Sequence, residues 1–330
     1  MREKKRIWIM GGIIALILVC TLLFYFGGRW LETRNYTEAR GDLTETEETE
    51  TQEVDGVLYR RRKNLTSILV MGVDRDSDAE SDSPFEGGQA DFQRLIVIDP
   101  DEGTVHQLKI DRDTLTEVTV LGFLGSPIGT QTMQISLAHG FGDGKEQSCE
   151  YAREAVEGLL NGENIDFYLA MNLDGITVLN DAVGGVTVTL EDDFSAHDPA
   201  MTKGTTLTLH GKQAEYYVRS RMDIGEGTNE ARMVRQENYL NQLSSLLEGK
   251  IRQDKQFVTT LYEELTPYLV SDMAKGRLIN EVWAARDYTL EDAIELTGEH
   301  QVAEDGFMEF HADEDSIQKA VLELFWEPVE

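Results

Sequence analysis

The stretch Ser67-Ile-Leu-Val-Met-Gly-Val-Asp74 decides the fold class of this protein. Its apolar run is short and ends at an aspartate, which predicts a buried β-strand. Two further strands are predicted at residues 95–98 and 104–110. The segment between them, Asp99-Pro-Asp-Glu-Gly103, has the composition of a hairpin loop. The folded region therefore opens with a sheet.

Helices and strands alternate through the rest of the chain without a repeat. Strands are predicted at residues 167–173, 186–190, 205–209 and 306–311. Helices are predicted at residues 148–160, 211–220, 230–247 and 314–325, near 253–269 and near 272–285, with a short helix capped by Asp174 and stopped by Gly184-Gly185. This interleaving predicts one α/β domain over residues 60–330.

Upstream of the domain, residues 7–28 form an uncharged run of 22 residues rich in Ile, Leu and Phe. A helix of this length is about 33 Å long, enough to cross the core of a bilayer. Arg2, Lys4, Lys5 and Arg6 precede the run and predict a cytoplasmic N-terminal tail of residues 1–6. The sequence therefore predicts a single-pass protein of the cell membrane whose domain is extracytoplasmic.

Two other interpretations of the apolar run are a cleaved signal peptide and a lipoprotein signal ending at Cys20. No small-x-small cleavage pattern follows the run, and Val19 stands where a lipoprotein site needs a small residue. Both features favour an uncleaved anchor.

Residues 29–59 are predicted to be an acidic stalk between the anchor and the domain. The part from 41 to 55, GDLTETEETETQEVD, has seven acidic side chains and almost no apolar ones. Such a segment cannot bury enough apolar surface to fold on its own. Its predicted role is to space the domain from the membrane.

Overall charge limits the classes of partner. The formal net charge is −31, and 41% of the residues are hydrophobic. A surface this acidic argues against nonspecific binding of nucleic acid or of anionic lipid. Only Cys149 lies outside the apolar run, so the domain has no intrachain disulfide. An anionic ligand must therefore be held by a local basic site.

Two loops resemble ligand sites only superficially. The aspartates at 74, 76, 78 and 82 suggest a hard metal ion, but Ala79 and Phe85 break the EF-hand pattern. Gly142-Asp-Gly-Lys-Glu-Gln-Ser148 lacks the first glycine and the final Ser/Thr of a phosphate loop. An acidic surface loop and a loop entering a helix are the simpler interpretations, although a metal site using Asp74 and a distant carboxylate stays open.

The arginines form the strongest candidate site. They are Arg112, just past a predicted strand end, and Arg219, Arg221, Arg232 and Arg235, with Gln236 beside the last. Arginine suits bidentate contacts with phosphate, whereas structural ion pairs with nearby Asp and Glu are the competing interpretation. Residues two apart point roughly 200° apart on a helix, so Arg219 and Arg221 can share a ligand only if the helix ends between or near them.

Eight motifs in order carry a resemblance to a known family. They are Ser67–Asp74, Gly88-Gln-Ala-Asp91, Lys109-Ile-Asp-Arg-Asp113, Ile165-Asp-Phe-Tyr168, Asp181-Ala-Val-Gly-Gly-Val186, Gly211-Lys-Gln-Ala214, Tyr217-Val-Arg-Ser-Arg221 and Arg232-Met-Val-Arg-Gln236. Together they resemble the LytR-CpsA-Psr family of Gram-positive cell-envelope proteins. The resemblance covers about residues 65–247, and residues 248–330 are predicted to complete the domain.

The resemblance implies a single three-layer α/β/α domain with a central mixed β-sheet and a groove for a polyprenyl-pyrophosphate lipid. It also implies transfer of teichoic acid, capsule or a similar glycopolymer from undecaprenyl pyrophosphate to peptidoglycan in cell-wall biogenesis. By resemblance the pyrophosphate ligands are Arg112, Arg219, Arg221, Arg232, Arg235 and Gln236. Mg²⁺ (or Mn²⁺) would be held by Asp74 and Asp91, and Asp91 or Asp113 would act as the base beside Arg112.

This chain departs from the family pattern at two basic positions. Gln89 stands where an arginine is usual, and Gln134 stands where a lysine is usual. Arg75 and Arg94 are the candidates to compensate. The loss of two cations keeps two alternatives to transfer in view: a non-catalytic binder of polyprenyl-phosphate glycolipid or wall polymer, and a pyrophosphatase acting on the same donor.

Overall fold

A computed structural model of the chain describes residues 50–75, 87–122, 125–220, 224, 229–304 and 306–329, without the side chains of 229–234 and 237. The predicted anchor at residues 7–28 lies outside these ranges and stays a prediction. Within them, no helix combines the length and the apolar character needed to cross a membrane. The described residues divide into a short unit ending at Arg60 and a large unit from Arg61 to Glu330.

The short unit contains an antiparallel hairpin of β1 (Thr51–Val54) and β2 (Val57–Arg61). Asp55 and Gly56 form its two-residue turn at φ 53° and 78°. Asp-Gly is the preferred pair where both turn residues have positive φ. The prediction that the acidic stretch 41–55 stays unstructured is therefore wrong for residues 51–55, because local turn chemistry and strand pairing outweigh their charge.

The large unit contains the remaining elements. Its strands are β3 (Thr66–Asp74), β4 (Gln89–Asp99), β5 (Thr104–Ile110), β6 (Leu115–Leu121), β7 (Pro127–Gln134), β8 (Phe167–Asn172), β9 (Thr187–Thr189), β10 (Thr206–Thr208), β11 (Leu269–Ser271), β12 (Thr289–Leu290), β13 (Ile294–Glu295), β14 (Gly298–Val302), β15 (Met308–Ala312) and β16 (Trp326–Pro328). Its α-helices are α1 (Glu146–Leu159), α2 (Asp174–Ala182), α3 (Lys212–Arg219), α4 (Asn229–Gln253), α5 (Lys255–Leu265), α6 (Lys275–Ala285) and α7 (Glu314–Phe325), with 3₁₀ helices at Ile135–Gly140 and Thr266–Tyr268.

The central sheet has the strand order β11-β8-β3-β4-β5-β12, and β13 also pairs with β5. Strand β3 is parallel to β8 and antiparallel to β4, while β5 is antiparallel to β4. The chain is thus a mixed α/β fold with a central mixed sheet. Since β3, β5 and β8 run the same way, their carboxyl ends share one edge, where ligands commonly bind in open α/β sheets.

Apolar residues alternate between the two faces of the central sheet. Ile68 and Ile98 pack with Leu278 of α6 on one face. On the other face Leu69 is fully buried, and Arg153 of α1 lies over the Tyr168 ring at 5.7 Å. Helices therefore cover both faces, which explains the near-continuous apolar sequence of β3.

A second apolar cluster holds helix α3 in place. Val186, Phe194, Tyr217 and Tyr239 are among its buried residues, contributed by the β9–β10 region, α3 and α4. Inside it, Asn180 is fully buried and accepts hydrogen bonds from the Val186 N–H at 3.1 Å and the Tyr239 hydroxyl at 3.2 Å. Helix α3 ends at Arg219, so the packing of this cluster determines the position of Arg219.

Several predicted elements match the structure and others do not. The strand at 104–110 and the helix at 314–325 have the predicted bounds. The β6–β7 hairpin and the β14 strand were not predicted, because β7 and β14 are exposed and lack an apolar run, and their strands form through pairing with the other strand of each hairpin. Asp174 does not cap α2; Leu173 is the cap residue, and Asn172 Oδ1 instead accepts the Gly175 N–H at 3.3 Å.

Candidate functional site

The candidate site lies where β3 and β5 end and β4 begins. Asp74 is the last residue of β3, and its Cα partner across the sheet is Gln89, the first residue of β4. Residues 111–113 follow β5 directly. Antiparallel pairing therefore brings three separate motifs to one edge of the sheet.

Asp91 owes its position to an irregularity in the β3–β4 ladder. Gly72 pairs with Phe92 and Val73 pairs with Ala90, so Asp91 is the extra residue of a β-bulge. Bulges bend a strand and redirect a side chain, often beside a functional site. The bulge leaves the Asp91 carboxylate one quarter exposed and turned to Arg112.

Arg112 is the centre of the cluster. Its Nη1 lies 2.7 Å from Asp91 Oδ1, and its Nη2 donates to Gln89 Oε1 at 2.6 Å. Its Nε lies 3.5 Å from Asp113 Oδ1. The guanidinium thus joins the two predicted carboxylates and remains 25% exposed, which leaves an approach for a ligand.

Asp113 is held in place from several directions. Its N–H donates to Asp111 Oδ1 at 2.9 Å, and its carbonyl accepts the Phe310 N–H at 2.8 Å. Gln134 Nε2 donates to its Oδ1 at 3.3 Å. Burial raises the pKa of the Asp113 carboxyl. The positive charge of Arg112 lowers this pKa, and the negative charge of Asp111 raises it. A raised pKa in a fixed position is typical of a general base.

Arg219 contacts the same edge of the sheet through Asp74. Its Nη2 lies 3.4 Å from Asp74 Oδ1, and its Nη1 lies 3.5 Å from Glu215 Oε1. Helix α3 ends at Arg219, and Ser220 is extended at φ −60° and ψ 133°. The predicted break of the helix before Arg221 is therefore confirmed, although Arg221 itself lies outside the described residues.

Arg235 and Gln236 support α3. Arg235 is 4% exposed, and it donates through Nε to the Tyr217 carbonyl at 3.3 Å and through Nη2 to the Ser220 carbonyl. Gln236 Nε2 donates to the Val218 carbonyl at 2.9 Å. These contacts satisfy the last carbonyls of α3, which lack partners within the helix. As placed, both side chains position Arg219, whereas the side chain of Arg232 is outside the description.

We expect Arg235→Ala to lower the free energy of unfolding by about 3 kcal/mol, because it removes a buried cation and leaves the carbonyls of Tyr217 and Ser220 without their donor. The guanidinium also lies near the partly exposed Asp192 carboxylate, at 3.7 Å from Nη1, and the Phe194 ring, at 5.4 Å from the guanidinium carbon. Urea denaturation of Arg235→Ala and of Arg219→Ala tests this prediction. The Arg219 side chain is 44% exposed, so its removal should lower the free energy of unfolding by under about 1 kcal/mol. Equal losses in the two variants would contradict the structural role of Arg235.

The two arginines considered as replacements differ in location. Arg75 follows Asp74 directly, and its Nη1 donates to the Asp143 carbonyl at 3.2 Å. A Cβ on Gly144 would lie 1.4 Å from that nitrogen, so only glycine permits the approach. Arg94 lies farther along β4 and donates to Gln107 Oε1 at 2.7 Å. Arg75 is therefore the one beside the candidate site.

Two residues that contact the segments of the site, His139 and His300, were not predicted from the sequence. His139, nine-tenths buried or more, has Nδ1 3.0 Å from the Gly88 carbonyl just before Gln89, and burial lowers its pKa. His300, on β14, has Nε2 2.9 Å from Asp111 Oδ2. Neither residue lies in one of the eight motifs, and no local pattern brings them near Arg112.

The sheet edge is also the predicted metal site, with Asp74 and Asp91 as the ligands. Among the residues that the structure describes, no group of three or more His, Cys, Asp and Glu side chains is placed to hold a metal ion. Asp74 and Asp91 nevertheless lie near the same bulge, at the ends of paired strands. The cluster itself contains two guanidinium groups and several carboxylates at one edge of the sheet.

Comparison with known proteins identifies the family. The LytR_cpsA_psr family model matches residues 31–324. The chain belongs to the LytR-CpsA-Psr family. The resemblance drawn from eight motifs is therefore confirmed over most of the chain.

Two curated members of the LytR-CpsA-Psr family illustrate the relationship. Biofilm regulatory protein A of Streptococcus mutans is 33% identical over 171 residues, which are 49% of this chain and 39% of that protein. The polyisoprenyl-teichoic acid–peptidoglycan teichoic acid transferase TagU of Bacillus subtilis is 30% identical over 168 residues, 50% of this chain and 47% of that protein. The chain thus matches less than half the length of these relatives.

Solved structures of family members share the fold. TagV of Bacillus subtilis has a TM-score of 0.57 and 21% identity, covering 79% of this chain and 97% of that chain. TagT bound to LI-WTA has a TM-score of 0.55 and 20% identity, covering 86% of this chain and 96% of that chain. At these identities the likeness establishes the mixed α/β fold alone.

Proposed function

We propose that this protein is a membrane-anchored phosphotransferase that attaches a polyprenyl-pyrophosphate-linked glycopolymer to peptidoglycan. One observation carries the proposal: Arg112 is held between Asp91 and Asp113 at the sheet edge where Asp74 meets Arg219. Phosphoryl transfer requires cations for the phosphate charge and a base for the attacking hydroxyl, and the cluster contains both. The activity named for the TagU relatives supports the same reaction class.

The donor pyrophosphate is assigned to Arg112 and Arg219, with Arg221 following the end of α3. Guanidinium groups bind phosphate oxygens in a bidentate fashion and stay charged at all relevant pH values. Both described arginines are partly exposed, at 25% and 44%, so a ligand can displace part of their carboxylate contacts. The acidic surface elsewhere makes this local basic pair the favoured place for an anion.

Mg²⁺ or Mn²⁺ is the cofactor that the two carboxylates of Asp74 and Asp91 suit. Mg²⁺ is usually bound by one or two carboxylates together with substrate phosphates and waters, so a cluster of three protein ligands is not required. When bound, such an ion neutralises phosphate charge during transfer. The pairing of these carboxylates with arginines in the present structure is compatible with exchange of partners when a donor arrives.

The proposed step is a displacement at the phosphorus that carries the glycan. The acceptor hydroxyl of peptidoglycan forms the new P–O bond, and its proton passes to the carboxylate of Asp113. The bond from that phosphorus to the bridging oxygen breaks, and polyprenyl monophosphate leaves with its charge stabilised by Arg112 and Arg219. The raised pKa of Asp113 favours this residue over Asp91 as the base, because Asp91 lies closer to the guanidinium.

The predicted anchor at residues 7–28 gives the site access to a lipid-linked substrate. A polyprenyl donor stays in the membrane because of its apolar chain, so an enzyme on the same membrane meets it by lateral diffusion. A single-pass helix with a cytoplasmic N-terminus would place the domain on the outer surface.

A transfer assay tests the proposal. The full chain in detergent is incubated with a lipid-pyrophosphate glycan, Mg²⁺ and peptidoglycan fragments, and a TagU protein is run in parallel. Linked glycan–peptidoglycan is the expected product. Phosphate release without linkage would show hydrolysis, and donor binding without either product would show a non-catalytic binder, provided that the TagU reaction proceeds.

Binding without transfer is the second candidate, and the environments of Gln89 and Gln134 favour it. Gln89 Oε1 accepts from Arg112, and Gln134 Nε2 donates to Asp113 and to the Met308 carbonyl at 2.6 Å. Neutral amides keep the hydrogen bonds of the site but supply no charge for phosphate.

We expect Gln134→Lys to tighten donor binding about fivefold to tenfold, since a lysine ammonium beside Asp113 adds a cation within a few ångströms of the phosphates. Lysine carries three N–H donors and can keep both contacts of the amide. Gln131→Lys is the matched control, because it adds the same charge at an exposed position of the same strand. Equal tightening by the control would show a long-range charge effect rather than a site effect.

A further inference from the structure

The C-terminal hairpin β14–β15 lies against the candidate site. Gly298–Val302 pairs antiparallel with Met308–Ala312. Strand β15 makes three of the contacts that join this hairpin to the site: Phe310 N–H donates to the Asp113 carbonyl at 2.8 Å, the Met308 carbonyl accepts from Gln134 at 2.6 Å, and Thr114 forms a parallel bridge with Phe310. The hairpin therefore contacts the segment that carries the base.

Among the described residues, His300 makes the one hydrogen bond between a side chain of the hairpin and a side chain of residues 111–113. Its Nε2 lies 2.9 Å from Asp111 Oδ2. A carboxylate only accepts hydrogen bonds, so Nε2 is the ring nitrogen that carries the proton. The ring packs on Phe310 with centroids 4.6 Å apart, which restricts its rotation.

Asp111 connects His300 to Asp113 by hydrogen bonds to both residues. While Oδ2 accepts from His300, Oδ1 accepts the Asp113 N–H at 2.9 Å. The Asp111 carbonyl also accepts the Thr114 N–H at 3.1 Å and the Thr114 hydroxyl at 2.7 Å. One carboxylate thus links the hairpin to the turn that presents Arg112 and Asp113.

We propose that His300 is a positioning residue for the transfer reaction, holding the 111–113 turn through Asp111 so that Asp113 stays beside Arg112. This inference rests on the proposed function and extends it to the C-terminal hairpin. A base must lie within hydrogen-bond reach of the proton that it removes, and small displacements of such a group lower rates sharply. Without His300, Asp111 Oδ2 loses its partner on β14, and only the bond from the Asp113 N–H still restrains the Asp111 carboxylate.

The hairpin also provides a matched control. His311 lies on β15, its Nε2 is 3.2 Å from Glu309 Oε2, and its side chain is 41% exposed against 50% for His300. His311→Ala therefore removes a comparable hydrogen bond from the same hairpin without touching Asp111. His300→Gln keeps an N–H that can donate to Asp111 but removes the ring.

The first measurement does not depend on turnover. Amide hydrogen exchange of residues 111–114 is compared in the full chain and its variants without donor. We expect exchange about tenfold faster in His300→Ala, and near the unsubstituted rate in His300→Gln and His311→Ala. Unchanged exchange in His300→Ala, or equal acceleration by His311→Ala, would overturn the proposal even if transfer is never detected.

The second measurement separates positioning from donor binding. In the transfer assay, His300→Ala should lower kcat about tenfold to a hundredfold, while the Kd for the donor changes less than about twofold. His300→Gln should recover most of the rate. A loss of donor binding that equals the loss of rate, or no recovery by glutamine, would reject a positioning role. If the unsubstituted protein transfers nothing, the proposed function fails, and hydrogen exchange alone decides the structural role of His300.

Discussion

Arg112→Ala is expected to lower the transfer rate about a thousandfold and to weaken donor binding. A positioned cation or donor that meets the charge of a transition state typically contributes a factor of a hundred or more, and arginines in phosphoryl transfer contribute more. The substitution also leaves Asp91 and Asp113 without the guanidinium that lies 2.7 Å and 3.5 Å from them. The two carboxylates would then repel an incoming pyrophosphate. Single-turnover transfer and equilibrium binding of a labelled donor measure the two effects.

Arg252→Ala is the control for this substitution. Arg252 is 51% exposed and pairs with Glu248 one turn earlier on α4, so its removal changes the net charge equally without touching the cluster. Transfer should stay within about twofold of the unsubstituted rate. A comparable fall in both variants would show that overall charge, rather than Arg112, governs donor binding.

Asp113→Asn is expected to abolish most transfer while the donor still binds. General-base catalysis contributes about a hundredfold to ten-thousandfold, and an amide of similar shape cannot take the proton. Burial raises the pKa of the Asp113 carboxyl above its ordinary value of 3.8, so the base loses activity on the acid side at a higher pH than a solvated aspartate would. The acid limb of the pH–rate profile measures this, and Asp113→Asn should remove it.

The same pKa shift determines how the substitution affects stability. The folded protein binds the Asp113 proton more tightly than the unfolded chain, so ionisation of this group lowers stability as pH rises above 3.8. Asp113→Asn removes that loss and should leave the fold intact at neutral pH. Asp287→Asn is the control, because Asp287 is 66% exposed and pairs with Arg286 at 2.9 Å. A loss of transfer caused by unfolding of Asp113→Asn would contradict the assignment of a base.

Strong local patterns made much of the fold predictable. The apolar run of β3, the residues 104–110 of β5 and the helix at 314–325 carry signals within a few residues, and the structure contains all three. The β6–β7 hairpin is different, because β7 is exposed along most of its length and has no apolar run. Its strands exist through pairing across the hairpin, and single-sequence patterns do not report such pairing.

The candidate site was predictable as a set of motifs but not as an arrangement. Motif order identified Arg112, Asp113 and Asp91, and helix geometry predicted that α3 ends near Arg221. Neither motif order nor helix geometry distinguished the residues at the sheet edge from the residues that support them. Arg235 is nearly fully buried beneath the end of α3, although its sequence spacing matched that of a ligand contact.

By itself, the amino-acid sequence determined the family, the α/β class and the chemical character of the site, because these depend on residue type and order along the chain. Only the tertiary structure decided which groups meet. A bulge between Val73 and Gly72 turns Asp91 to Arg112, and chain packing brings His300, 189 residues beyond Asp111, within 2.9 Å of it. Contacts between distant segments depend on the packing of the whole core, and no short stretch of sequence encodes them.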